Sequence, residues 1–516
     1  MNSKLALTID FGTQSLRVAL INKKGDLVAM EKRPYDEPYF STQKGYAEQH
    51  ADFYWDILVE AMTTLCQKNK DLLTNIIGST VTTFRDTAVL LDSENKPLRP
   101  CILWLDQRSA KVKEKLPLLH TLAFFIVGMT NTVFFNRKRT AAHWVKENEP
   151  EIWSKTKKYV NISTYITYKL SGKLIDSVSN FTGHYPLWYK KKKWYKEGAL
   201  KGRIFGVPNR MLCEIKDAGE LLCEISDEFA DAVGLPHGIN IYASGSDKAC
   251  ETIGNGALDP TIASISYGTA SSIEISNKKY YEPETFLPSY PAAVKGWYNM
   301  DVQIYRGYWM ITWFTKEFAN SAVGEKKLMD MTSIQILNSR LNDIPPGSDG
   351  LIVQPYWGPG LKRPLAKGAI VGFSDIHTRE HMYKAIIEGI AYALREGMEG
   401  IERQQRQKVK EIRISGGGSQ SPAICQITAD IFGLPVSKIH THESTSLGAA
   451  MAIFLATGEF KTPEEAIKNM SHITETFNPN PVANQQYEYL YKKAYLKLYP
   501  DLKGVYADLK KFDKKF

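Results

Sequence analysis

Residues 8–21 read TIDFGTQSLRVALI. An apolar, β-rich run from Lys4 to Ile9 ends on Asp10. Phe11-Gly12-Thr13-Gln14-Ser15 makes a turn of small residues, and Leu16 to Ile21 is a second apolar run. Lys23 to Asp26 turns the chain again, and Leu27 to Ala29 resumes an extended pattern. The spacing predicts a β-meander with a carboxylate at its first turn. The pattern returns once. Ile262 to Ser266 is a β-rich run, Tyr267-Gly268-Thr269-Ala270-Ser271-Ser272 a turn, and Ile273 to Ile275 a second strand. An aromatic-Gly-Thr core between two strands thus opens each half of the chain. Two domains built on one α/β plan follow, residues 1–254 and 255–516, with the boundary near Asn255 to Pro260.

Length and composition agree. At about 150 residues per domain, 516 residues leave room for roughly two to four. With 43% apolar and 23% charged residues, the chain is too apolar to stay disordered. The net charge of +9 is mild for this length; it suits acidic small molecules such as nucleotides and does not call for nucleic acid. Cys66, Cys101, Cys213, Cys223, Cys250 and Cys425 form no CxxC pair, which argues against a zinc ribbon and for a reduced compartment. The longest apolar run, Leu122 to Val127, is far short of the roughly 20 residues of a membrane span. The N-terminal stretch lacks the marks of a signal peptide. A cytoplasmic protein without membrane or nucleic-acid partners is expected.

Between the two turns, helix and strand alternate. Ala51 to Cys66 has helical periodicity, Ile76 to Thr83 and Ile239 to Ala243 read as strands, and Asn136 to Asn148 and Ser163 to Leu170 as helices. In the second half, Glu411 to Ser415 is a strand, followed by Gly416-Gly417-Gly418, a helix from Pro422 to Phe432, and another from near Ser446. Tyr487, Tyr491, Tyr495 and Tyr499 recur every fourth residue, a stripe that reads as packing. Lys190 to Lys193, with tryptophan and tyrosine on both sides, reads as a solvated loop.

Several groups carry chemistry. Two Gly-Thr turns between strands suit phosphate, because glycine lets backbone N–H groups approach an anion and threonine adds a hydroxyl. Matching turns in two halves suggest a nucleotide clamped between them. The Gly-rich loop after Ser415 adds a third close approach, ahead of a helix N-terminus. Asp10 lies at a strand end beside the first turn, and Asp247 just after the strand Ile239 to Ala243. One such aspartate would cap a turn; two beside glycine-rich strand ends suggest Mg²⁺ binding or proton transfer. Arg85-Asp86 follows a strand, and Trp104, Asp106 and Arg108 follow an apolar run. Such groups can bind vicinal hydroxyls under an aromatic face, although the plainer reading of each Arg and Asp is a surface ion pair worth little.

Taken together, the chain resembles the FGGY family of carbohydrate kinases along nearly its whole length. The matching stretches are Asp10-Phe11-Gly12-Thr13, Arg85-Asp86, LRPCILWLDQRS (98–109), SGSDKACETIGNGAL (244–258), SYGTASSI (266–273), residues 368–392, SGGGSQSPAICQITADIFGLPV (415–436) and ESTSLGAA (443–450). The resemblance implies a two-domain, actin-like fold of the ribonuclease H type. ATP and sugar would bind in the cleft between the halves. Asp247 would be the base, and Asp10 and Asp247 would hold Mg²⁺. Gly12, Thr13, Gln14 and Arg17 would form the first phosphate turn, and Gly268 and Thr269 the second. Gly417 and Gly418 would line the adenosine, with Gln420 and Ser421 beside them and Gly307 on the nucleotide side. Arg85, Asp86 and Trp104 would touch the sugar, with Asp106 a neighbour. Lys248 would either orient the sugar or face solvent.

The acceptor is less defined. Xylulokinases and gluconate kinases of the family show Met-His where this chain has Arg85-Asp86, and glycerol kinases show Arg-Glu, yet residues 98–109 are closer to the xylulokinase version. Phe134, Phe135 and Asn136 do not settle the aromatic that glycerol kinases use nearby. A ketopentose such as xylulose is favoured, with other ketoses and short polyols open, and a homodimer is also open. The competing reading is an actin-like ATPase or sugar-responsive regulator, but no DNA-binding helix pair or peptide-binding domain is evident. A Rossmann oxidoreductase is disfavoured because no GxGxxG follows the first strand. His377 and Cys250 read as structural.

Overall fold

The computed structural model describes residues 4–284, 287–318, 331–357, 363 and 365–515. Strands β1 (Leu5–Phe11), β2 (Ser15–Asn22) and β3 (Leu27–Pro34) form the antiparallel meander. Every residue of β1 is buried, as befits a strand covered on both faces. Strand β4 (Ile76–Thr83) pairs parallel to β1, so the chain must cross over first; the helix Ala51–Lys68 makes that crossing. Strands β5 (Leu221–Glu224) and β6 (Asn240–Tyr242) complete a sheet ordered β5-β6-β4-β1-β2-β3.

The second half repeats this plan. Strands β7 (Ile262–Tyr267), β8 (Ser271–Asn277) and β9 (Tyr298–Ile304) form an antiparallel meander. The helix Arg379–Gln405 crosses over to β10 (Glu411–Ser415), which pairs parallel to β7. Strands β11 (Val436–Ile439) and β12 (Ile473–Phe477) follow, giving the order β12-β11-β10-β7-β8-β9, with Tyr290–Pro291 beyond β9. Position by position the two sheets correspond. They differ in chain order only at the outer strand, which precedes its neighbour in the first half and follows it in the second. The repeat seen at two turns is therefore a duplicated ribonuclease H-type topology.

Each half has its own core, and a third apolar cluster lies between them. Ala6, Ala19 and Ile21 of the first sheet pack there with Ile253, Leu447, Ala450 and Ile453. Helix Asp247–Gly254 follows β6, and helix Ser444–Ala456 follows β11 and lies on β1 and β4 of the other half. The two helices cross at almost backbone contact. A Cβ on Gly448 would lie 1.8 Å from the Cys250 carbonyl oxygen, and one on Gly254 would lie 1.9 Å from that of Ser444. The β2–β3 turn is gripped by the second half: His440 Nε2 donates to the Gly25 carbonyl (3.1 Å) and His472 Nε2 to that of Lys24 (3.1 Å).

Three expectations change. The helix expected over 136–148 is the end of Thr130–Arg139 and the whole of Ala141–Asn148, because Thr140 is extended (φ −71°, ψ 122°). Its N–H and its hydroxyl both go to the Asn136 carbonyl, which closes the first helix there. The lysine run is part of a hairpin formed by Leu187–Trp188 and Lys193–Trp194. Lys190, Lys191 and Lys193 are exposed, while Lys192 is paired with Asp217 at 2.8 Å. The C-terminal helix is interrupted by a wider π-turn over Tyr491–Tyr495. Tyr487, Tyr491 and Tyr495 are buried around Tyr392, and Tyr499 stacks on Tyr506. Among the described residues no helix is long and apolar enough to cross a membrane.

Candidate active site

A cleft of about 980 Å³ opens between the halves. The turn after β1 enters it with Gly12, Thr13 and Gln14, closed by a hydrogen bond from the Gly12 N–H to the Ser15 carbonyl (3.0 Å). The matching turn after β7 presents Gly268 and Thr269 opposite, and the loop after β10 presents Gly416 and Gly417. The second turn is fixed from behind, because the Tyr308 and Trp309 N–H groups donate to the Gly268 and Thr269 carbonyls at 3.3 and 3.2 Å.

Asp10, Asp247, Glu251 and Glu443 converge on this cleft. Burial pushes the Asp10 carboxyl up to about 7; Arg17 opposes this, while Asp247, Glu443 and Glu251 reinforce it. Strand register sets Arg17 opposite Asp10, with Nη1 4.0 Å from Oδ2, and Arg17 also pairs with Glu443 of the other half. Asp247 opens its helix. One of its oxygens accepts the Lys248 N–H at 2.8 Å, and burial raises its pKa against the pull of Lys248 and Arg85. Lys248 does not face solvent. Its Nζ donates to Glu251 (2.5 Å) and to the Ser266 hydroxyl (2.6 Å), and these acidic neighbours outweigh burial to hold it protonated.

At the other end of the cleft, Arg85 and Asp86 form the turn after β4. Asp86 takes left-handed backbone angles (φ 50°), an uncommon conformation for a residue with a side chain. Its carboxylate accepts from His184 Nδ1 (2.6 Å) and from the His184 N–H (2.9 Å). Burial pushes the Asp86 pKa up, but His184 reverses this and the net shift is downward. Arg85 reaches across to the second half, 2.8 Å from Asp301 and 3.8 Å from Glu274, which sit opposite each other on β9 and β8. Burial works against its charge, but those carboxylates outweigh it and keep it firmly protonated. Trp104 lines the cleft and donates its indole N–H to the Thr13 hydroxyl (3.3 Å), joining the two ends.

Several expected residues lie elsewhere. Asp106 does not line the cleft; it is buried, holding the Arg108 guanidinium through both oxygens (2.8 Å each) and the Ala47 N–H (2.7 Å). Gly307 packs on Ser271, where a Cβ would lie 2.1 Å from the hydroxyl, and Gly418 packs on the Tyr308 ring. Both therefore support the turns from outside the cleft. Gln420 is exposed and Ser421 buried at the start of the helix Pro422–Phe432, and neither lines the cleft. Cys250 donates to the Gly245 carbonyl, and burial pushes its thiol up to about 12, so it is inert. His377 Nδ1 accepts the Ser374 N–H.

The N-terminal domain profile of the FGGY family of carbohydrate kinases matches residues 5–254, and the C-terminal domain profile residues 263–457. The chain belongs to the FGGY family of carbohydrate kinases. This FGGY kinase is 28% identical to the xylulose kinase of Lactococcus lactis, over 94% of this chain and 95% of that one. It is 26% identical to the gluconokinase of Bacillus subtilis, over 94% and 93%. Its fold matches the ligand-bound xylulose kinase from Lactobacillus acidophilus with a TM-score of 0.82 at 23% identity, over 98% of this chain and all of that one. The protein is thus an ATP-dependent sugar kinase with an actin-like fold.

Sequence reasoning about this FGGY kinase missed Glu251, Glu274, Asp301, Glu443 and His184. Two signals were present. Glu274 and Asp301 are charges set inside apolar strands, Glu274 between Ile273 and Ile275. Glu443 precedes the helix after β11, as Asp247 opens the helix after β6, so extending the repeat would have found it.

Proposed function

We propose that this kinase phosphorylates a neutral ketopentose of the xylulose type, with Asp247 as general base and with Asp10 and Asp247 holding Mg²⁺. The observation that carries the acceptor class is the pairing of Arg85. Its guanidinium, matched at 2.8 Å by Asp301 and at 3.8 Å by Glu274, is already neutralised and offers little to an anionic acceptor such as gluconate. Asp301 itself lines the cleft, and its buried Oδ1 accepts no hydrogen bond among the described residues, which leaves it an acceptor that a neutral hydroxyl would satisfy. The similarity to xylulose kinases supports the same reading.

The residues present fit Mg·ATP. Asp10 is a carboxyl pushed up by burial among other carboxylates, and a divalent cation relieves that crowding. Among the described residues no three His, Cys, Asp or Glu side chains converge as a metal site. The ion would therefore rest on the two aspartates, phosphate oxygens and water, as Mg²⁺ commonly does. The two Gly-Thr turns would hold the phosphates. Gly417, where a Cβ would meet nothing within 4 Å, leaves an open face for the adenosine. Bound Mg·ATP supplies the phosphoryl group and neutralises its charge.

Asp247 takes the proton from the acceptor hydroxyl. One of its oxygens is tied to the Lys248 N–H, which leaves the other for that proton. Its raised pKa makes it a stronger base than an ordinary aspartate. Glu251 and Ser266 fix the Lys248 side chain beside it.

The test is ADP release with Mg·ATP over D-xylulose, L-ribulose, gluconate, glycerol and erythritol. A ketopentose should give the highest kcat/KM, with gluconate lower by about 100-fold, the order expected from the roughly 1–3 kcal/mol, or more for a charge, that a buried group left unpaired costs. Gluconate or a polyol as the best acceptor would overturn the assignment.

A further inference from the structure

Two uncommon backbone conformations meet at the acceptor end of the cleft. Asp86 takes φ 50°, and Gly183, packed against it, takes φ 107°. A Cβ on Gly183 would lie 2.5 Å from the Asp86 Cγ, so glycine is what lets the next residue close on the carboxylate. That next residue is His184, and it occupies both oxygens of Asp86: its N–H goes to Oδ1 (2.9 Å) and its Nδ1 to Oδ2 (2.6 Å). Backbone strain of this kind persists where the surroundings over-determine it, and it gathers at binding sites. Asp86 and His184 both line the cleft, with Arg85 and Trp104. Because Nδ1 donates to the carboxylate, the lone pair of the neutral ring sits on Nε2. That atom has no partner among the described residues, and it is not sealed from water as the Nε2 of His377 is. The His184 side chain is 22% exposed.

We propose that His184 Nε2 binds a hydroxyl of the acceptor, and that Asp86 is a positioning residue that acts through it. This rests on the reading of the Arg85–Asp86 end of the cleft as the acceptor site. Both oxygens of Asp86 are turned onto His184, so Nε2 is the polar atom of the pair left for a ligand. A carboxylate on one ring nitrogen fixes the tautomer and the ring plane, which is how a histidine presents its other nitrogen. The histidines that tie segments together differ in this respect. His381 engages both ring nitrogens, with Thr378 and Asp349, and so does His440, with His472 and Gly25. The second half contributes a counterpart. Asp301 Oδ1 is also an unpaired hydrogen-bond acceptor in the cleft, and Arg85, next to Asp86 in the chain, lies 2.8 Å from Asp301. Each half thus offers one acceptor atom at the same end. Together they select a ligand rich in hydroxyl donors, whereas a carboxylate would bring only lone pairs to them.

The experiment is steady-state kinetics of the full chain with D-xylulose and Mg·ATP, beside calorimetric titration of D-xylulose without nucleotide. His184→Asn keeps an amide donor near Nδ1 and removes the atom at Nε2, while His184→Gln places its amide near Nε2. The Asn variant should raise the acceptor KM and Kd by about 10- to 100-fold, with kcat and the KM for ATP within about threefold of wild type. The Gln variant should recover part of that loss. Asp86→Asn should raise the acceptor KM as well, and His184→Asn/Asp86→Asn should be no worse than His184→Asn by itself, because the two act as one unit. The wild type gives a readout that misfolding of a variant cannot touch: one monodeoxy analogue of D-xylulose should bind about 10- to 100-fold more weakly than the parent sugar. Three results would each overturn the proposal: an acceptor KM unchanged by His184→Asn, losses that add in the double variant and so put Asp86 itself on the sugar, or equal binding of all the deoxy analogues. A rise in the KM for ATP in place of the acceptor's would overturn it together with the placement of the acceptor at this end. Should the wild type not use D-xylulose, the acceptor class is wrong, and the same comparisons on the best acceptor of the panel decide His184.

Discussion

Asp247 carries the sharpest prediction at the scale of single residues. Asp247→Asn keeps the shape and the hydrogen bond to Lys248 but removes the proposed base, so kcat should fall by about 10²–10⁴ with the KM for ATP little changed. Steady-state ADP release at saturating ATP checks this, and near-normal turnover would remove Asp247 from the role. Glu274 offers a pH test. Burial first, and then Asp301, raises its pKa to about 7 against the pull of Arg85. Below 4.5 the carboxyl is protonated in both folded and unfolded chains. Between 4.5 and 7 the unfolded chain releases its proton and the folded chain resists, so stability falls as pH rises through that window. The melting temperature of Glu274→Gln relative to wild type should therefore climb from pH 4.5 to 7.5, and a flat difference would contradict the shift. Asp10, Gly12, Thr13, Arg85 and Asp247 could be picked out as a set from local motifs, and the fold brings them to one cleft. Asp106 could not be placed that way. Its direction is decided by the Ala47 N–H, 59 residues earlier, and by Arg108, and no local pattern reports where a loop carboxylate turns.

At the scale of elements, the crossing of Asp247–Gly254 with Ser444–Ala456 joins the halves. A methyl at Gly448 would meet backbone at 1.8 Å, and backbone cannot swing aside as a side chain can. Gly448→Ala should therefore push the helices apart, at about 1–3 kcal/mol or more. Because Asp247 and Glu443 stand at the N-terminal ends of these two helices, kcat should drop as well. Gly417→Ala is the control, with open space around its Cβ and no expected change in the melting temperature of the ligand-free protein. Strands were legible to within a residue where apolar runs met glycine, as at Ile76–Thr83 and Glu411–Ser415. The break at Thr140 was not, since threonine is common inside helices and only its hydrogen bonds to Asn136 reveal the stop.

For the whole molecule, charge stitches the halves across the cleft through Arg85 to Asp301 and Glu274, and Arg17 to Glu443. Arg85→Gln would strand two buried carboxylates and should cost about 3–5 kcal/mol in chemical denaturation. Adding Asp301→Asn should restore part of that loss. If the double variant is less stable than the single one, the pairing is not what holds the arginine. The duplicated topology could be inferred from two Gly-Thr turns, but the swapped order of the outer strands could not, because that order lives in pairings between distant segments. The grip of His440 and His472 on the β2–β3 turn has a consequence in time. His472 follows Lys24 by 448 residues, so at ~5–20 residues per second a ribosome exposes the turn roughly 20–90 s before its clasp is made. Throughout that interval the nascent first sheet waits with one edge unfastened, a stretch in which chaperones, rather than the finished enzyme's own contacts, must keep it from pairing with a neighbour.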